Sequence, residues 1–227
     1  MSTLQSTRPG AVRPADKFDA RRDELAESAL ETLGDLGYAR TTLRQIASKS
    51  AFSHGVVHYY FQDKLELVIY SVRYYKARCV TRYDSVVADS TTADGLLDAF
   101  AARLAETIRE EAPMHRLWYD LRTQSMFEEG LREAVLMIDQ TLEEMIWRVV
   151  ARYADLAGRD IRLSAAACYA MLDGLFQQAL LGHVAGRADA LDGLWQQVRD
   201  VMPLMLTDGD PAARRRVGTA AAGQLAD

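Results

Sequence analysis

Cysteine is nearly absent. Two thiols in 227 residues, Cys79 and Cys168, cannot form a disulfide framework at this length, and both read as small buried hydrophobes. Proline is also scarce, at 5 residues, which excludes a collagenous or Pro-rich disordered chain. No apolar run approaches the roughly 18–20 residues needed to span a bilayer; the longest candidate, Ala165 to Leu172, stops at Asp173. The first fourteen residues carry Arg8 and Arg13 but nothing resembling the apolar stretch of a secretory signal. The expectation is a cytoplasmic protein with no membrane partner. A nucleophile elbow, a phosphate-binding Gly loop and zinc-ligand spacing are all missing, so the sequence points to no enzyme, no catalytic residue and no cofactor.

What is present is 49% hydrophobic and 26% charged residues, an ordinary globular balance. The net charge of −5 argues against nucleic acid until it is divided along the chain. Residues 40–82 hold eight cations and two anions, and no carboxylate lies between Asp35 and Asp63, so a polyanion meets no repulsive side chain from that stretch.

From residue 16 onward almost every segment has helical period, and none alternates as a strand does. The expectation is an all-α fold. A first helix opens at Asp16, carries Leu25, Ala29 and Leu33 on one stripe and ends at Gly37. Thr42 with Gln45 forms a capping-box pattern for a short second helix, Ser53 caps a short third, and Asp63 caps a long fourth reaching about Val87. Two helices so short must be held by packing, the signature of a helix-turn-helix. Further helices are predicted at about 93–110, 113–127, 129–157, 161–184 and 189–206, punctuated by Pro113, Gly130, Gly158 and Gly186. The expected organisation is an arm over residues 1–15, a DNA-binding head over 16–62, a helical ligand-binding and dimerisation domain over 63–206, and a tail over 207–227.

On the third helix, Val57, Tyr60 and Phe61 share the inner face. Gly55, His58 and Tyr59 point outward, flanked by His54 and Val56. Gly55 weakens a helix by about 1 kcal/mol relative to Ala, a sacrifice that fits close backbone approach to something bulky. Arg44, on the outer side of the second helix, is the guanidinium able to read a guanine edge. Lys64 sits poorly for its own helix dipole, and a phosphate beside it would relieve that. His54 and His58 at i, i+4 have metal-ligand spacing, but no third ligand follows and the expectation is no metal.

The segment Thr41-Thr42-Leu43-Arg44-Gln45-Ile46-Ala47, followed by Ser53-His54-Gly55-Val56-Val57-His58-Tyr59-Tyr60-Phe61-Gln62-Asp63-Lys64, resembles the DNA-binding segment of the tetracycline-repressor (TetR) family. The likeness covers roughly residues 17–70. It implies phosphate contacts from Thr42, Ser53, Tyr59 and Lys64, and base-edge contacts from Arg44, Gly55, Val56 and His58, with His54 at another polar contact position. Two positions depart from the family pattern. Ala51 stands where a turn glycine is usual, at a cost of about 1–2 kcal/mol if that backbone is left-handed, and His58 replaces an aromatic.

Ile161 to His183 is apolar almost all round, with Ala166, Ala170 and Gly174 spaced for close helix approach. With the last helix it reads as a four-helix homodimer interface through residues of about 161–184 and 189–206, which the resemblance also implies. An alternative is that both helices are buried within one subunit. The twofold would set two recognition helices about 34–36 Å apart on a double-stranded palindromic operator. The middle helices hold Trp118, Tyr119, Arg122, Met126, Phe127 and Trp147, and Asp173 and Gln177 lie four apart on the apolar helix. Such residues are either plain core or a pocket for a small-molecule effector, large, flat and mostly apolar; the resemblance implies the pocket. The functional expectation is a dimeric transcriptional repressor released by that effector. An all-α interaction module or an enzyme without DNA binding is the alternative.

Overall fold

The computed structural model describes residues 14–208. The Arg8 and Arg13 arm and nearly all of the expected tail lie outside them. Among the described residues the regular elements are helices, with a single isolated bridge between Ile161 and Leu206.

Helix α1 (Pro14–Leu36) ends where Gly37 takes φ 76° and its amide closes back on the Leu33 carbonyl at 2.8 Å, a left-handed stop that glycine adopts without strain. Helices α2 (Leu43–Lys49) and α3 (His54–Tyr60) are each about two turns long. Both expected caps form. Thr42 Oγ1 accepts from the Gln45 amide while Gln45 Oε1 accepts from the Thr42 amide, and Ser53 Oγ accepts from the Val56 amide. Such caps contribute about 1 kcal/mol each, so burial must hold the pair. Ile46, Val57 and Phe61 are sealed against Leu25, Ala29 and Leu33 of α1.

Helix α4 (Lys64–Cys79) is capped by Asp63 as expected but stops short of Val87. The chain turns over residues 80–83 and restarts as α5 (Asp84–Asp89). Arg148 of the later helix α7 (Glu129–Ala157) donates to the Val80 carbonyl, supplying a partner to one of the carbonyls freed where α4 ends. Helix α4 packs on both α1 and α7, so the expected boundary at residue 62/63 falls at the start of a helix shared by head and body. Tyr70 and Tyr74 hydroxyls donate to Asp23 and Glu27 of α1 at 2.6 and 2.8 Å, and Arg22 pairs with Glu66 at 2.7 Å.

The two helices expected around Pro113 are one, α6 (Ala93–Gln124), kinked at Glu111, where φ/ψ leave the helical region. Proline removes one backbone donor and bends the residues before it without ending the helix. Helix α8 (Ala165–Val184) begins at the Ser164 cap rather than at Ile161. Residues 160–162 instead pair with 205–207 through backbone hydrogen bonds. Helix α9 (Ala190–Val201) passes into a 3-10 turn, Met202–Met205. No described helix is long and apolar enough to cross a membrane.

Candidate nucleic-acid interface and effector cavity

Helix α3 divides as its sequence implies. Val57 and Phe61 are buried at 0% and 1% exposure, whereas His54, Gly55, Val56, His58 and Tyr59 face outward, Tyr59 at 73%. A Cβ on Gly55 would meet nothing within 4 Å, so the backbone there is open to approach. Thr42, Arg44 and Ser53 are also exposed. The His54 and His58 rings meet edge to face at 4.5 Å. Phe18 of α1, itself exposed, packs against Tyr59 and Tyr60 at 6.3 and 4.9 Å, bracing the end of α3 from one side. Ala51 carries no left-handed strain, because every described positive φ belongs to a glycine; the turn takes an ordinary conformation and the anticipated penalty is absent.

Lys64 departs from expectation. Its ammonium turns inward, donating to the Tyr38 carbonyl at 2.9 Å and lying 3.9 Å from the Tyr38 ring centre. Burial lowers its pKa, and the carbonyl answers the charge that a phosphate was expected to answer. Much of the cationic block of residues 40–82 is spent in the same way. Lys49 pairs with Asp35, Arg82 with Glu111, and Lys76 is buried. On the α1 side, moreover, Glu24, Glu27 and Glu31 line the depression beside Gly55 and Tyr59, carboxylates that the count along the chain did not place there.

Above the head, α4, α6, α7 and α8 enclose a cavity of about 70 Å³ lined by Lys76, Tyr83, His115, Trp118, Tyr119, Tyr169, Asp173 and Phe176, with Leu142, Met145 and Ile146 of α7 on one wall. It has room for a few water-sized groups, so the expected large, flat site is small. Three expected ligand residues are present, Trp118, Tyr119 and Asp173. Arg122 stands behind them, holding Asp173 at 2.6 Å while Tyr119 donates to the same carboxylate at 2.9 Å. The expected burial cost of an unpartnered Asp173 is therefore met inside the subunit.

Four expected residues lie elsewhere. Helix α6 ends at Gln124, which swings Met126 and Phe127 into solvent at 70% and 82% exposure. Trp147 packs half-buried against the core away from the cavity lining. Gln177 faces an outer groove beside Gly174, Leu181 and Val184.

Lys76, His115 and Tyr169 escaped the sequence reading. Burial, then the cations Lys76 and Arg82, push the His115 imidazole down to about 3, leaving it neutral. Its Nε2 lies 3.4 Å from Arg82 Nη1, a contact in which the guanidinium donates. Burial and then Asp173 raise the Tyr119 phenol, and the Tyr169 phenol is raised likewise.

Beside the packing of α4 on α7, head and body are hydrogen-bonded around the corner between α1 and α2. Asp120 of α6 accepts the Tyr38 amide at 2.6 Å, Arg116 donates to the Gly34 carbonyl at 2.7 Å, and Lys64 holds the Tyr38 carbonyl. Asp120 lies one residue past Tyr119 of the cavity, so a shift of α6 reaches the head without an intermediary. Replacing Asp120 with Ala leaves the Tyr38 amide without its carboxylate acceptor and is expected to cost about 1–3 kcal/mol of stability. A urea melt measures it; an unchanged midpoint would show that the junction is held elsewhere.

Two short capped helices with an open outer face, mounted on a helical body that encloses a lined cavity, define a DNA-binding helix-turn-helix regulator. Residues 25–70 match the family model for bacterial regulatory proteins of the tetR family, and residues 92–203 match that for the C-terminal part of BetI-type transcriptional repressors. The chain belongs to the TetR family of transcriptional regulators. It is 28% identical over 171 residues to the HTH-type transcriptional regulator BetI of Burkholderia mallei (strain NCTC 10229), covering 74% of this chain and 84% of that one. A TetR regulator from Haloarcula marismortui superposes with a TM-score of 0.68 at 20% identity, over 84% of this chain and all of the other. A regulator from Saccharomonospora viridis, solved in complex with choline, gives 0.63 at 18% identity over the same shares. Both likenesses are of fold.

Proposed function

We propose that the protein is a cytoplasmic homodimeric repressor that binds a palindromic operator through α3 and the N-terminal end of α2, and lets go when a small molecule enters the cavity. The observation that carries the reading is the division of α3: two apolar anchors fixed in the core beneath an outer face of Gly55, Val56, His58 and Tyr59 that is exposed among the described residues. Arg44 reads a base edge, and Thr42, Ser53 and Tyr59 meet phosphates. Lys64 contributes through the Tyr38 junction rather than as a free cation.

The dimer runs mainly through α8. Ala166, Ala170, Gly174, Leu181 and Val184 are exposed, and a Cβ on Gly174 would meet nothing within 4 Å. A helix this apolar with one face bare is built to be covered. The share expected from α9 is smaller, since Leu194, Val198, Met202 and Met205 are buried within the subunit. A choline complex of a fold neighbour supports a small-molecule site in this type of body without naming this protein's ligand.

The test is operator binding by anisotropy across a salt series. A steep negative slope of log affinity against log salt is expected, and Arg44→Ala should cost about 1–3 kcal/mol and relax preference at one base position. Salt-independent binding, or an Arg44→Ala protein that weakens all sequences equally, would contradict the assignment.

A further inference from the structure

Lys76 is a charged group held in the interior, its ammonium without a hydrogen-bond partner among the described residues. It is 5% exposed and lines the cavity. Its ammonium lies 4.7 Å from the centre of the Trp118 ring and 5.7 Å from that of Tyr75. Asp173 and Glu111 favour its charge from a distance, yet Asp173 is hydrogen-bonded to Arg122 and Tyr119, and Glu111 to Arg82 and Tyr75. Among the described residues none accepts a hydrogen bond from the ammonium. Burying a charge in this state is costly, and the fold gains no ion pair in return.

The site therefore has acceptors that are already taken and a cationic donor that is free. An organic cation would lie on the Trp118 face, but Lys76 already occupies that place, and a second cation would be repelled by it and by Arg82. From this juxtaposition we propose that the cavity recognises a small organic carboxylate, its charged head held by Lys76 and its apolar body lying against Tyr169, Phe176 and the α7 wall. This names the ligand class of the effector site and rests on that reading of the cavity.

Titration gives an independent signature. Burial pushes the Lys76 ammonium down to about 8; Cys79, Asp173 and Glu111 oppose the shift and Arg82 adds to it. His115 on α6 is neutral, and α7 presents only Leu142, Met145 and Ile146. An anion binds the protonated form, so its affinity holds below pH 8 and is lost as pH rises through it.

The experiment uses the full-length protein and its Lys76→Met variant. Calorimetric titrations with acetate, propionate, their amides and choline are run beside melting curves and operator release. At least one carboxylate should bind tenfold or more tighter than its amide, and weaken about tenfold from pH 7 to pH 9. Lys76→Met should melt higher, because a buried charge is gone, and lose the preference for carboxylate over amide. The proposal is overturned if no carboxylate binds, if amide or choline binds as well, or if Lys76→Met melts lower and keeps the preference. If choline releases the operator, the effector reading survives and this inference fails. If a carboxylate binds without altering operator affinity, this inference stands and the effector reading fails.

Discussion

Replacing Leu181 with Glu is expected to leave the protein folded but monomeric, and to lower operator affinity by about 10²–10⁴-fold, the avidity lost when two linked heads become one. Leu181 is 70% exposed on α8 and borders the groove with Gly174 and Val184, so a carboxylate there meets water in the lone subunit but would be buried against the partner in the proposed dimer. Desolvating two like charges across a symmetric contact is prohibitive. Sedimentation velocity and a melting curve check the first part, operator titration the second. A variant that melts normally, stays dimeric and binds fully would place the interface on another face. One that unfolds would show instead that Leu181 is covered within the subunit. Because α8 also carries Asp173 and Phe176 on its inner side, a ligand that repositions α8 would, in the proposed dimer, change the angle between subunits and with it the spacing of the two α3 helices.

The head was legible because its determinants are local. Thr42 with Gln45, Ser53 with the Val56 amide and Asp63 with the Glu66 amide are contacts within one turn, so spacing alone shows them. The inner and outer faces of α3 follow from 100° per residue over two turns, too short for the error to accumulate. The body was less legible because its site is assembled from α4, α6, α7 and α8, whose mutual rotation no local rule supplies. Met126 and Phe127 were misplaced because α6 ends at Gln124, three residues before the expected end at 127, so both lie beyond the helix instead of on its inner face. Lys76 was hidden in a count of cations. The sign that could have revealed it is its register: it stands four residues after Val72 and three before Cys79, on a stripe with Val68 that is buried throughout. Lysine on an apolar stripe is either a long stem reaching out to water or a functional charge, and only packing separates the two.

Removing the Asp173 carboxylate should produce a clear stability loss. Asp173→Ala leaves Arg122 with Asp139, at 3.6 Å, as its remaining ion partner and leaves the Tyr119 hydroxyl without its carboxylate acceptor. Breaking a buried pair costs about 3–5 kcal/mol. The side chains here retain 16% and 28% exposure, so the expected loss lies nearer 2–3 kcal/mol, read as a lower urea midpoint at unchanged slope. Asp173→Asn, which keeps an acceptor for Tyr119, should lose less. Pairing Asp173→Leu with Arg122→Met should recover part of the loss, because much of the cost lies in a guanidinium left with only the more distant Asp139. A loss below about 0.5 kcal/mol would mean the pair behaves as a solvated surface bridge. The same variant tests the cavity from a second direction. Asp173 helps to keep Lys76 protonated, so without it the ammonium gives up its proton below pH 8. The window in which a carboxylate loses affinity then moves toward neutral pH, whereas a ligand indifferent to Lys76 shows no such displacement.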